Sequence, residues 1–331
     1  MTGSSVFRKH SETIILGLAM ISTVLLMWIF NGSRFLGSGN LQSMAFQLPE
    51  LGILSLAMMV TMLTAGINLS IIASANLSGI IAALILTQFI QPGSSGFSAA
   101  LVIFLAILAG LLTSVLVGLL NGLLIARIGV SPILATLGTM ILINGFAIVI
   151  TEGYVISGFP EAVKFIGNGL IFGIPMPIII FTICAIAMAI VLNRTATGVS
   201  IFMIGSNPIA TLFSGISNKS VLIKTYLLSG LYAGIAAIIM ISRFNSAKAD
   251  YGESYLLMTV LASVMGGVSA AGGFGRVSGV VIALVILQIV SSGLNLLRVS
   301  NFLTIAIWGI ILILVMIVKF YTDRYQRRQT T

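Results

Sequence analysis

Among 331 residues there is one cysteine, Cys184, and one histidine, His10. A single cysteine makes no intramolecular disulfide, and a thiol in the middle of an apolar run packs as a small hydrophobe. One Cys and one His at opposite ends of the hydropathy map cannot supply a His/Cys metal site. Nor can they form a paired nucleophile and base, which argues against an intramembrane enzyme. Charge is scarce too: charged residues are 7% of the chain, where a soluble domain carries about a quarter. The seven acids, Glu12, Glu50, Glu152, Glu161, Asp250, Glu253 and Asp323, all read as span ends or loops. Glu50, just after Pro49, comes nearest to membrane depth. An intramembrane carboxylate is the usual mark of an ion-coupled carrier, so ion coupling has little support. Gly-Lys occurs nowhere. There is therefore no GxxxxGK[ST] phosphate loop, and the chain cannot hydrolyse ATP by itself. "GGFGRVSG" (272–279) lacks both the preceding strand and the GxGxxG spacing of a dinucleotide loop.

What the chain has is apolar length. Hydrophobic residues make up 58%, the mean hydropathy is +1.18, and there are 35 glycines. That is an all-α polytopic membrane protein with closely packed helices. Spans of about 20 apolar residues are expected at 13–30, 47–66, 70–90, 98–126, 132–150, 175–192, 223–242, 255–268, 277–297 and 302–319, ten in all. The eighth is short and is broken by Gly266-Gly267. The first lacks a small-x-small cleavage site and reads as an uncleaved span rather than a signal peptide. The net charge of +9 comes from basic residues scattered between spans. They orient the chain in the bilayer and do not form a nucleic-acid surface.

With the N-terminus cytoplasmic, Arg8, Lys9, Arg127, Arg194, Lys219, Lys224, Arg276, Lys319, Arg324, Arg327 and Arg328 fall inside. Arg34, Lys164, Arg243, Lys248 and Arg298 fall outside. Eleven against five predicts N-in, C-in and an even number of spans. The chain reads as one transmembrane domain over 1–331, with a cytoplasmic loop at about 194–222 and a basic cytoplasmic tail at 320–331 that suits anionic lipid. Thr151–Ile174 and Arg243–Ser254 are the substantial outer segments. Two glycine-rich interruptions, "LTAGINLSIIASANLSG" (63–79) and "MGGVSAAGGFGRVSG" (265–279), take comparable positions in the two halves. They suggest an inverted repeat with broken helices. The individual GxxxG matches, such as Gly118/Gly122 and Gly275/Gly279, read as close helix crossings.

The polar residues at membrane depth are uncharged. Asn68, Ser70, Asn76, Asn121, Thr136, Asn144 and Asn295 are the candidates for a solute pathway. Taken singly, each is better explained as a helix-to-helix hydrogen bond. As a set they favour a neutral polar solute over an ion. In the loop "TATGVSIFMIGSNPIATLFSGISNK" (195–219), Asn207 can cap a helix and Pro208 suits its first turn. Ile209, Leu212, Phe213 and Ile216 then share one face, and Gly215 ends the helix. A helix this short needs a host for its apolar face, either another protein or the headgroup layer.

Three stretches carry a resemblance. "GLLNGLLIARIGVSPILATLGTM" (118–140) resembles the GLxNGxLxxxxxxPxxxxTLGTM pattern of ribose-type ABC importer permeases. "VMGGVSAAGGFGRVSGVVIA" (264–283) resembles their GGxxxxGGxGxxxG segment. "TGVSIFMIGSNPIATLFSGI" (197–216) resembles their cytoplasmic loop, matching at Gly198, Gly205, Asn207, Ala210, Gly215 and Ile216. The resemblance spans nearly the whole chain. It implies a ten-helix, vitamin-B12-permease-like fold in a bacterial inner membrane. It also implies a coupling helix made by Gly198, Gly205, Asn207, Pro208, Ala210, Leu212, Phe213 and Gly215 against an ABC ATPase, which binds the ATP, so that this chain needs no cofactor of its own. A second permease subunit is implied, and so is a periplasmic or lipid-anchored solute-binding protein that would meet Glu152, Glu161, Lys248, Asp250 and Glu253. One stretch departs from the pattern. Where the family has GGIDLSVGS, "AGINLSIIA" places Ala65 for the first Gly, Asn68 for Asp and Ile72 for the last Gly. A heteromeric pair, with the acid kept by a sister subunit, would tolerate this. "GIPMPIIIF", "FMIGSNPIATLFSGI" and "SRFNSAKADYGESYLL" look most like the D-type permeases of autoinducer-2 importers. The rival expectation is a self-sufficient secondary carrier or channel for a small polar solute.

Overall fold

The computed structural model describes residues 4–90 and 96–328, and the side chains of 16–90, 96–300 and 302–317. The side chains of His10 and of the basic tail 320–331 lie outside that set. Helices dominate, as they must where no water is present to satisfy a backbone. In chain order they are α1 (Ser4–Asn31), α2 (Ser38–Met62), α3 (Ile71–Phe89), α4 (Gly96–Leu123, continued by a π turn to Ile128) and α5 (Pro132–Thr151). The 152–175 connection then folds as strand β1 (Ile156–Ser157), helix α6 (Glu161–Asn168) and strands β2 (Leu170–Ile171) and β3 (Ile174–Pro175). There follow α7 (Met176–Arg194), α8 (Ala196–Ser206), α9 (Pro208–Phe213), α10 (Asn218–Phe244), β4 (Ser246–Ala247), α11 (Tyr255–Met265), α12 (Val277–Leu296) and α13 (Asn301–Arg328).

Among the described residues eight helices are long and apolar enough to cross a bilayer. The remaining two expected spans correspond to α11, only eleven residues long, and to α13, whose described apolar stretch is Phe302–Ile317. Three expectations need correction. The second helix starts at Ser38, not 47, and stops at Met62, because Gln42, Ser43 and Gln47 dilute hydropathy without breaking a helix. Glu50 is consequently a fully buried residue well inside α2, not a span end. The 194–222 loop holds α8 as well as the expected short helix. The 151–174 segment, expected only as a substantial outer segment, is itself folded.

Alternating helices leave two ends. At the α9 end lie the α2–α3, α4–α5, α7–α10 and α11–α12 connections. At the other, the hairpin end, the folded 152–175 segment and the 245–254 strap meet. There β1 pairs antiparallel with β4, with Ile156 opposite Ala247, and Phe159 N donates to Asn245 Oδ1 at 3.0 Å. The core is built around α2, buried throughout Leu48–Met62, and α10. Glycine sets the helix spacing: a Cβ on Gly118 would overlap Tyr226 O, and one on Gly230 would overlap Ser114 O. These are the close crossings that the GxxxG spacing predicts.

Candidate functional site

At the α9 end three glycine-rich stretches converge. Helix α2 unwinds at Leu63, and Ala65 adopts φ +60°, a left-handed conformation that costs a residue with a Cβ. Gly273 N donates to Leu63 O at 2.9 Å, which ties the α11–α12 break to the α2–α3 break. Gly205, at the end of α8, sits on that contact. A Cβ there would overlap Leu63 O and Gly273 N, while one on Gly272 would stand 2.9 Å from Gly205 O. Gly198 has the same role one helix-length earlier, where α8 folds back on Val191 and Leu192.

Immediately beyond Gly205 the chain turns into α9. Asn207 Oδ1 accepts from Ala210 N at 3.0 Å, the expected cap. Pro208 opens the helix, Asn218 Nδ2 closes the loop on Pro208 O at 2.8 Å, and Gly215 ends it at φ +78°. Ala210 and Gly215 are exposed. Ile209, Leu212 and Phe213 stand free, Phe213 at 88% exposure. Ile216 does not share that face: it packs half-buried on the core, because α9 stops at Phe213 and the chain turns before the second helical turn completes.

Four of the candidate pathway residues join one network at the α2–α3 break. Asn68 Oδ1 accepts from Ser70 N at 3.1 Å and from Ser70 Oγ at 2.8 Å, and its Nδ2 donates to Ser229 Oγ at 3.0 Å. Asn121 Nδ2 donates to Ser70 Oγ at 2.7 Å. Thr136 Oγ1 accepts from Leu69 N at 3.1 Å and lies 2.8 Å from Pro132 O. All four side chains are buried, and together they fasten the break to α4, α5 and α10. Ser229, the partner 161 positions from Asn68, carried no signal in the sequence.

A different set meets in a cavity of about 500 Å³ between α3, α5, the strap and α11. Its walls are mainly Ile72, Met140, Ile141, Ile148 and Leu256, with Asn76, Asn144 and Glu253 as the polar groups. Asn76 Nδ2 donates to Ala249 O at 2.6 Å and to Tyr251 O at 3.0 Å. Both of its donor hydrogens thus hold the strap down over the cavity. Asn144 makes no side-chain hydrogen bond among the described residues. Asn295 lies exposed near the end of α12, outside both sets.

Glu152, Glu161, Lys248, Asp250 and Glu253 all lie at the hairpin end. Lys248 pairs with Asp250 at 2.8 Å, and that hydrogen bond and charge raise the ammonium pKa. Glu161 pairs with Lys164. Near the same end sequence reasoning missed an ion pair: Arg243 Nη1 lies 2.9 Å from Glu50 Oε1. The only available signal was an Arg at the predicted end of one span and an acid near the start of another.

A polytopic bundle with a cavity toward one end, and at the other an exposed apolar helix seated on two helix breaks, is a membrane permease built to be driven by a partner. Residues 40–318 match the family described as branched-chain amino acid transport system/permease component, and the chain belongs to it. It is 35% identical to the ribose import permease protein RbsC of Bacillus subtilis, covering 90% of this chain and 89% of that one. It is 30% identical to the autoinducer 2 import system permease protein LsrD of Yersinia enterocolitica, over 95% and 93%. The LsrD of Yersinia pseudotuberculosis is 29% identical, over 95% and 92%. No solved structure matches the chain. The protein is therefore a multi-pass permease subunit of an ABC importer, with ATP hydrolysis on a separate subunit and with ATPase and solute-binding partners.

Proposed function

We propose that the chain carries a small, neutral, sugar-like solute across a bacterial inner membrane, in the manner of the ribose and autoinducer-2 permeases it resembles. Its 331 residues act as one transmembrane domain of ten spans with both termini cytoplasmic and a vitamin-B12-permease-like arrangement. The α9 end then faces the cytoplasm and the hairpin end faces outward. The cavity is one half of the solute route, with Asn144 and Asn76 Oδ1 offering hydrogen bonds that a hydroxyl can make and leave. A second permease subunit, a sister rather than a copy, closes the cavity along α5. There Leu134, Ile141 and Val149 are exposed, and Gly138 and Gly145 leave open space. Glu152, Glu161, Lys248, Asp250 and Glu253 receive the solute-binding protein, and ATP stays with the ATPase.

The observation that carries this reading is the seat of α9. A push on Ile209, Leu212 and Phe213 by an ATPase reaches Gly205 within one turn. Gly205 touches Leu63 and Gly273, which belong to the two helix breaks. No compliant side chain lies between, so displacement passes backbone to backbone. The test is ATP-driven uptake of radiolabelled ribose by the assembled importer in vesicles, together with co-purification of the ATPase. Phe213→Asp is expected to abolish both, whereas Lys219→Ala, on the same loop but off the apolar face, leaves both intact. Uptake by this chain alone without ATP, undiminished by Phe213→Asp, would overturn the reading in favour of a self-sufficient carrier.

A further inference from the structure

The hairpin β2–β3 has a feature that transport does not require. Ile171 pairs with Ile174, so the turn consists of Phe172 and Gly173, with φ +51° and +80°. Two consecutive positive φ values define the tight hairpin turn that favours Asn-Gly. A bulky aromatic in the first position pays a steric penalty of about 1–2 kcal/mol. Yet Phe172 stands clear of the described residues at 101% exposure, with Leu170 and Ile174 about half exposed beside it. An aromatic held at a strained tip, clear of every described residue, points to something outside the chain.

The covalent neighbour identifies that medium. β3 runs straight into α7, whose 19 residues span about 28 Å, close to the ~30 Å of the hydrocarbon core. Arg194, exposed in the last turn of α7, fixes that end at the opposite headgroup layer. The first turn of α7 therefore stands at the hydrocarbon boundary, with Phe172 four residues before Met176. No charged residue occurs between Lys164 and Arg194, whereas the 152–164 and 248–253 segments at the same end carry acids and bases. A charge-free apolar tip at headgroup depth fits lipid, and the charged segments fit protein.

We infer that the Leu170–Pro175 hairpin is an interfacial anchor, with Phe172 wedged among the lipid headgroups and upper acyl chains of the leaflet at the hairpin end. It fixes the depth of α7 and steadies α6, which packs on the end of α10 through Asn168 Nδ2 to Ser242 O at 3.1 Å. The proposal does not depend on the solute or on the ATPase. It is tested on the full-length chain carrying Cys184→Ser and Phe172→Cys, labelled with an environment-sensitive fluorophore. The protein is reconstituted in phosphatidylcholine/phosphatidylglycerol vesicles whose lipids bear nitroxides on the headgroup, high on the chain or deep in it. The headgroup and shallow nitroxides are expected to quench strongly and the deep one weakly. Iodide should quench several-fold less than at a Lys164→Cys control. Strong iodide quenching without nitroxide quenching would place the tip in water, and quenching by neither would place it against protein; either result overturns the anchor. Should Phe172→Cys fail to assemble, Ile174→Cys reads out the same depth with the same outcomes.

Discussion

Arg243 Nη1 and Glu50 Oε1 lie 2.9 Å apart, joining the last turn of α10 to the interior of α2, with the carboxylate fully buried and the guanidinium mostly so. Tyr255 OH, at the start of α11, stands 3.5 Å from Glu50 Oε2. The pair thus clasps three helices near the hairpin end, and two of them, α2 and α11, lead into the breaks that meet at Gly205. Removing one partner strands the other charge away from water. Glu50→Gln or Arg243→Met is expected to lower the unfolding free energy by about 3–5 kcal/mol. Replacing both with Met restores much of that loss, since a packed apolar pair leaves no charge uncompensated. Thermal unfolding of the purified protein, run as a double-mutant cycle, measures the coupling.

A second expectation concerns Ala65. Its φ of +60° is one that glycine adopts freely. Ala65→Gly should therefore stabilise the protein by about 1 kcal/mol, reduced somewhat by the freer unfolded chain. The opposite change at the facing residue, Gly272→Ala, adds a Cβ 2.8 Å from Ala65 N at a φ of +86° and should destabilise by several times as much. Melting temperatures of the two variants, measured side by side, have opposite signs if the backbone conformation is the cause.

The spans were legible because about 20 apolar residues in a row leave few alternatives. The ends of the spans were less so. Hydropathy averages over Gln42, Ser43 and Gln47, although the backbone of α2 stays helical through them, and that misplacement hid Glu50 inside a helix. The α9 cap was local, since Asn207 and Ala210 are three residues apart, and it read correctly from spacing. The partners of Asn68 and Asn76 lie 161 and 173 positions away. No periodicity encodes such contacts, so seven polar residues read as one set fall into a structural network at one end, a cavity toward the other and an outlier at Asn295. The face of α9 was over-extended to Ile216 because helical spacing alone does not mark where a helix stops.

The Asn68 network makes a third prediction. Asn68 both donates and accepts in a site 2% exposed. An aspartate there can still accept from Ser70 but has nothing to give Ser229, and it buries a charge with no cation bonded to it among the described residues. Asn68→Asp is expected to destabilise by about 1–3 kcal/mol, more than Asn68→Ser. The deficit should shrink as pH falls, because a buried, unpaired carboxyl titrates above its unfolded value and its neutral form can again donate a hydrogen bond. Unfolding midpoints of wild type and variant between pH 8 and pH 5 should converge.

The last prediction tests the strap. Asn76 spends both amide hydrogens on Ala249 O and Tyr251 O, and the β1–β4 pairing anchors the strap's other end. Deleting two hydrogen bonds removes about 2 kcal/mol, or roughly 30-fold in the closed-to-open ratio. Asn76→Ala should therefore speed trypsin cleavage after Lys248 in vesicle-reconstituted protein by that order, because cleavage follows the open population when opening is fast. Asn76→Asp should cleave faster still, since it turns a carboxylate toward two carbonyl oxygens and replaces attraction with repulsion. A solvent-facing Asn of no structural consequence would give wild-type rates in both variants. A cavity-lining Asn that bonded only solute would separate Ala from Asp in uptake and leave proteolysis unchanged. The ordering Asp, then Ala, then wild type in cleavage rate, with the global melting temperature shifted far less, is the signature of a side chain that holds the cover of the cavity rather than the fold.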